Sequence, residues 1–316
     1  MPGHDIVEAA KVVLGECEDL PFLPELPARG PHAQMIGRAV GLITALGADL
    51  QPDGWRIGVG AGLDQRRARS LLAQDLDLVE EIAHDHDGSF KVQVTGPLTL
   101  AASVEHPRGD KMLADHGARR ELTEAWIAGL GEHLADLSRR FSRAGLIVQV
   151  DEPAIRSVLD GRVPTASGYR THRSLDDPEV DAHLRPVADA IRGAGAIPVV
   201  HTCAADVPVA LLHGAGFAAI SFDLAQARPH DAWAEAFEAG VDLWIGAVPS
   251  TDAPRSPSAG ATAERIAAFF GALGYEPESF DDRLVVTPSC GLAGASPAWS
   301  RTALSLCAET ARRLGA

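Results

Sequence analysis

The sequence predicts an α/β fold, a (β/α)8 TIM barrel formed as a single domain over residues 1–316. Three observations carry that expectation. From about residue 90 onwards, short β-branched apolar runs alternate with long amphipathic segments, the signature of repeated βαβ crossovers. No Gly-x-Gly-x-x-Gly follows an early run, so the open sheet that binds dinucleotides lacks its signature. Polar residues close many different runs: Thr95, Asp151 with Glu152, His201 and Cys203, Asp223, Ser250 and Thr251, Ser289 and Cys290. A closed barrel gathers such strand ends into one site, whereas an open sheet leaves the ends of distant strands apart.

The elements follow in order. The chain opens on a helix-like segment, and the first barrel strand is not visible. Residues 14–30 are rich in proline (Pro21, Pro24, Pro27), and Gln51-Pro-Asp-Gly-Trp55 reads as the turn of a hairpin excursion. A helix is expected over 64–84, with Leu71, Leu72, Leu76 and Val79 on its inner face. The six strand candidates are 90–95, 146–150, 196–201, 218–223, 241–246 and 284–287. Their unbroken apolar character suits parallel strands covered on both faces. Between and after them the helical period recurs at 118–142, 175–193, 207–214, 231–239, 261–273 and 297–314. In the first of these, Leu122, Trp126, Leu130, Leu134 and Leu137 share one stripe. Residues 252–260, rich in Pro, Ser and Ala, read as a surface loop.

Composition narrows the function. A hydrophobic share of 46% with 22% charged residues supports a sizeable core. The net charge of −15 disfavours general affinity for nucleic acid or for an anionic membrane. No apolar stretch approaches the ~20 residues needed to span a bilayer. Met1-Pro-Gly-His-Asp5 has neither the basic nor the apolar region of a signal peptide. The four cysteines (17, 203, 290 and 307) are too scattered for a disulfide framework. The expected location is therefore a reducing cytoplasm.

His201-Thr202-Cys203 closes one apolar run and Cys290 follows another. One imidazole and two thiolates suit zinc, and three protein ligands leave a fourth position for chemistry. The competing reading makes them ordinary buried core residues. Asp223 is a candidate fourth ligand or a carboxylate that orients His201. A strand-end carboxylate exposed to water is the plain alternative. Asp151 and Glu152 are candidates for holding a substrate ammonium group, against the alternative of capping the helix that starts near Pro153. Asp151 is the better placed for substrate and Glu152 for structure. Cys17 and Cys307 fall on helices and read as packing residues.

Val199-Val-His-Thr-Cys203, Gln149-Val-Asp-Glu-Pro-Ala154, Thr95-Gly-Pro-Leu-Thr99 and Thr287-Pro-Ser-Cys-Gly-Leu292 together resemble the catalytic barrel of cobalamin-independent methionine synthase. The likeness also takes in Asp53-Gly-Trp55 and Ile245-Gly246. It implies a (β/α)8 barrel with zinc held by His201, Cys203, Cys290 and, at the position of a family Glu, Asp223. It implies that Asp151 holds the homocysteine amine and that Asp151 and Asp223 share the catalytic work, transferring a methyl group to a thiol.

Departures accompany the likeness. The Ile-Gly-Ser segment of the family would fall just before Met1. A homocysteine-holding Glu is replaced near Gly37, and the folate-binding Trp and Glu by Ser103 and Ser157. An acidic-paired His has no counterpart in Gly246–Thr251. The resemblance therefore implies a donor other than folate polyglutamate, with a methylated corrinoid protein as the partner that short family members use. Two other readings stay open: a thiol alkyltransferase of the epoxyalkane:coenzyme M type, and a non-catalytic barrel stabilised by zinc.

Overall fold

The computed structural model describes residues 1–275 and 283–315. The chain begins with α1 (Ile6–Glu16), capped by the Asp5 carboxylate, which accepts from the backbone N–H of Val7 and Glu8. Helix α2 (Met35–Leu42) is followed by a hairpin, β1 (Gly47–Gln51) and β2 (Gly54–Gly58), paired antiparallel across the expected turn. Then come α3 (Leu63–Ile82), β3 (Ser89–Thr95), α4 (Pro97–Ser103) and two short strands, β4 (Glu105–His106) and β5 (Asp110–Lys111). The long α5 (His116–Arg140) leads to β6 (Gly145–Asp151), α6 (Ile155–Leu159) and α7 (Asp177–Gly193). The regular alternation continues with β7 (Ile197–Thr202), α8 (Val209–Gly214), β8 (Ala219–Asp223), α9 (Asp231–Glu238) and β9 (Asp242–Val248). It closes with α10 (Ala259–Ala272), β10 (Leu284–Pro288) and α11 (Pro297–Leu314).

The main sheet has the order β10-β9-β8-β7-β6-β3, with every neighbouring pair parallel. These are the six expected strands. The smaller sheet, β1-β2-β4-β5, is a separate excursion. Beyond β3, the proline-rich segment supplies a seventh extended piece. Leu23 donates its N–H to the Lys91 carbonyl at 2.8 Å, and Lys91 donates to the Pro21 carbonyl at 2.9 Å. Pro21 and Pro24 lack N–H groups, which keeps this piece short. Among the described residues nothing joins β10 to it, and the described strands of the main sheet form a parallel half-barrel.

The two faces of the sheet differ. One face packs Val148, Val150, Val200, Ile220, Phe222, Leu243 and Ile245 against the helices in the main core. On that side Phe222 tilts against Trp233, with ring centroids 4.3 Å apart. The stripe Leu122, Trp126, Leu130, Leu134 and Leu137 of α5 is fully buried there as well. The opposite parity carries a small second cluster, Ile147, Val199, Ala219 and Trp244. Farther along the same strands, that parity carries Gln149, Asp151, His201, Ser221 and Asp223. One face therefore holds the fold together and the other presents polar chemistry at the carboxyl ends of the strands. Among the described residues no helix is long and apolar enough to cross a membrane.

Candidate metal centre

His201 is the penultimate residue of β7, and Cys203 follows the strand directly. Cys290 lies two residues past β10. The two cysteines are 87 residues apart in sequence, yet their Sγ atoms sit 3.9 Å from each other. One ligand atom from each of His201, Cys203 and Cys290 falls within 4.8 Å of the others, the one such group among the described residues. Tetrahedral zinc with bonds of about 2.3 Å places two sulfurs about 3.8 Å apart, so the observed spacing fits the ion. Cys290 is exposed and the other two are half-buried, so the group opens to solvent.

Local structure fixes this arrangement. Gly246 in β9 lets the Cys290 loop approach: a Cβ there would lie 2.6 Å from the Phe222 carbonyl oxygen and 2.7 Å from the Ser289 Cα. Ser289 then donates its N–H to the Val248 carbonyl at 2.8 Å, which pins the residue before Cys290. The His201 Nδ1 lies 2.9 Å from the Ser221 hydroxyl, its register partner on β8, which fixes the ring and leaves Nε2 to act as ligand. The neighbouring Cys203 thiol, followed by His201, holds the Cys290 thiol down at about 4. The same contact, with burial, pushes Cys203 up. The two thiols therefore titrate as an interacting pair rather than independently.

Asp223, the expected fourth ligand or His201 orienter, ends β8 on the same face, close enough for its charge to act on Cys203 and for Cys290 and His201 to act on it. Its Oδ1 accepts from the Ala225 N–H at 2.9 Å, which turns the carboxylate into the loop after β8. Burial pushes its pKa up, and the nearby Cys290 adds to that. Ser221, two residues earlier on the same face, makes the hydrogen bond to the His201 ring. The alternation in Ala219-Ile-Ser-Phe-Asp223 contained that signal, because Ser221 shares the inward parity.

Asp151 ends β6 beside His201, its register partner on β7. Burial raises its pKa to about 6, opposed by His201, Lys91 and a 2.7 Å hydrogen bond from the Gln149 side-chain amide. Glu152 points the other way and is fully buried. Its Oε1 accepts from the Leu98 N–H at 2.9 Å; its Oε2 accepts from the Thr99 N–H at 2.8 Å and the Thr99 hydroxyl at 2.6 Å. Both oxygens thus cap the start of α4, the structural role that the sequence favours for Glu152 over holding a substrate. The same carboxylate requires Gly96, where a Cβ would sit 2.2 Å from Oε1. Glu152 also donates its N–H to the His201 carbonyl at 2.8 Å, tying this clamp to β7.

One further side chain on this face, that of Lys91, was not singled out from sequence. Lys91 donates from Nζ to the Gln93 and Gln149 amide oxygens, both at 3.2 Å. A lysine in a strand reads as exposed unless its parity is known. Gly37, where a carboxylate was expected from the resemblance, is pressed against the chain: a Cβ would lie 2.0 Å from the Pro31 carbonyl oxygen. A larger side chain has no room there. A surface groove lined by Arg156, Asp176, Val207 and His230 contains none of the three ligand candidates.

A parallel β/α half-barrel with a His-Cys-Cys group gathered at its strand ends is the class of fold and candidate site that the chain presents. Within it, this chain belongs to the cobalamin-independent synthase family: residues 78–313 match that family's catalytic domain. Among solved structures, the chain is similar to a B12-independent methionine synthase from Shewanella sp. W3-18-1, in complex with selenomethionine. Identity is 14%, the TM-score is 0.59, and 98% of this chain covers 87% of that one. At that identity the likeness concerns the fold. A methylaspartate ammonia lyase mutant from Clostridium tetanomorphum follows at 12% identity and a TM-score of 0.45, with 98% of this chain covering 55% of it. Among curated proteins none matches.

Proposed function

We propose that this chain is a thiol S-methyltransferase that methylates homocysteine to methionine, with zinc held by His201, Cys203 and Cys290. The observation that carries the reading is the gathering of those three donors, from strand ends far apart in sequence, at a spacing that suits one tetrahedral ion. Zinc bound there supplies Lewis acidity that favours the ionised form of an incoming thiol. The exposed flank at Cys290 gives that thiol its approach. Asp151, on the neighbouring strand, anchors the amino-acid ammonium. A cation at that point offsets the burial that raises its pKa and restores the carboxylate. Together, anchor and ligand group fix the sulfur at one end of the substrate and the ammonium at the other. The resulting orientation lowers the barrier for in-line attack on a methyl group.

The reading extends to a single barrel domain over residues 1–316 acting in the cytoplasm, with the half-barrel as most of a (β/α)8 ring. Ser103 closes α4 and Ser157 lies in α6, where the resemblance expects folate-binding side chains. The donor is therefore proposed to be a methylated corrinoid protein rather than folate. The test is a product assay. Zinc-loaded protein is mixed with L-homocysteine and either methylcobalamin or 5-methyltetrahydrofolate, and methionine is measured by mass spectrometry. Methionine from the corrinoid arm is expected; none from either arm over hours contradicts the reading.

A further inference from the structure

Lys91 is half-buried on the polar face of the sheet, and the side-chain hydrogen bonds it makes among the described residues go to amide oxygens. Its ammonium is held by two neutral amides and lies 5.4 Å from the centre of the Phe22 ring. An ammonium has donors only, so each amide facing it must present its oxygen. That requirement decides how Gln149 is turned. With Oε1 on Lys91 at 3.2 Å, its Nε2 is directed to Asp151 Oδ1, which it reaches at 2.7 Å. Gln93 is fixed in the same way: Oε1 on Lys91, Nε2 on the Leu23 carbonyl at 2.7 Å. Gln93 thereby holds the proline-rich edge segment to β3.

We infer that Lys91 and Gln149 form a positioning relay for substrate-amine recognition, in which the lysine sets the amide and the amide sets the Asp151 carboxylate. Gln149 occupies Oδ1, so Oδ2 is left to receive the substrate ammonium. Lys91 and Gln149 are positioning residues that touch no reacting atom. The inference rests on the proposed role of Asp151. It adds that amine selectivity is specified two side chains away, on β3. A reversed amide would turn its oxygen to Asp151, placing acceptor against acceptor and dislodging the carboxylate.

The test compares two thiols on the zinc-loaded protein: L-homocysteine and 4-mercaptobutyrate, which has the same chain without the amine. Affinity is read by calorimetry, with metal content and melting temperature recorded for each variant. In Lys91→Met and Gln149→Met, L-homocysteine should bind about tenfold more weakly or worse, as expected for losing a hydrogen bond to a charged group. 4-Mercaptobutyrate should be unchanged. A purely structural role weakens both thiols together, and that outcome overturns the relay. Gln149→Met serves should Lys91→Met fail to fold. Asp151→Asn separates the two levels. If it loses amine selectivity while both relay variants keep it, the relay alone is wrong. If it keeps selectivity, the Asp151 reading fails and the relay with it.

Discussion

Thr99→Val tests whether the clamp beneath the site is a stabilising device. The substitution keeps the shape of the side chain and removes its hydroxyl. That hydroxyl donates to Glu152 Oε2 at 2.6 Å and accepts from the Ala154 N–H at 3.2 Å. Glu152 is fully buried, and burial raises its pKa to about 7 despite the donors around it. Losing a hydrogen bond to a partly ionised carboxylate costs about 2 kcal/mol, and leaving the Ala154 N–H unpaired costs about 1 more. With an unfolding entropy of about 2 cal/mol/K per residue over the whole chain, about 3 kcal/mol corresponds to a fall of about 4–5 °C in Tm. Differential scanning fluorimetry of wild type, Thr99→Val and Thr99→Ser measures it. Thr99→Ser keeps both contacts and loses one methyl, so it should fall by no more than about 2 °C. Equal melting of Thr99→Val and wild type refutes the clamp.

Further predictions follow from the same packing. His133 and His183 are each lowered by burial from 6.5 to about 4, while the unfolded chain protonates near 6.5. Their stabilisation is complete above pH 6.5 and is lost as pH falls through 4, up to about 3 kcal/mol each. Urea midpoints should fall between pH 7 and 4.5, and His183→Gln should flatten that fall; an unchanged slope contradicts it. Gly96→Ala forces a methyl group against Glu152 and should cost about 1–3 kcal/mol, read as a lower urea midpoint. Full stability there means the turn before α4 is not close-packed. Phe222→Ala empties a fully buried site against Trp233 and should cost about 3–5 kcal/mol by urea denaturation. A loss under 1 kcal/mol refutes the assigned core face.

Much of the architecture was legible because parallel strands buried on both faces read as unbroken apolar runs. All six candidate strands lie in the main sheet within two residues of their expected ends. The seventh extended piece was hidden because Pro21 and Pro24 suppress any strand pattern, and its evidence is two backbone bonds to Lys91. Helices α2 and α4 were also missed; α4 is a single short run whose start is capped from another strand by Glu152. The three ligand candidates were readable from chemistry and position alone. For Asp223 the sequence leaves ligand and orienter open, and the structure adds one contact, an Oδ1 that accepts from the Ala225 N–H. Glu152 was legible as the structural member of its pair: adjacent carboxylates at a strand end face opposite sides, so Asp151 and Glu152 have opposite surroundings.

Metal content of the purified chain, with Cys203→Ser and Cys290→Ser beside it, bears most directly on the account. Inductively coupled plasma mass spectrometry should find about one zinc per wild-type chain, as in sites with three protein ligands and one open position. Each variant should retain under about a tenth of that, since removing only a partner that orients a ligand already costs about 10–100-fold in affinity. Both serine variants carrying a full equivalent of zinc would contradict the assignment of His201, Cys203 and Cys290.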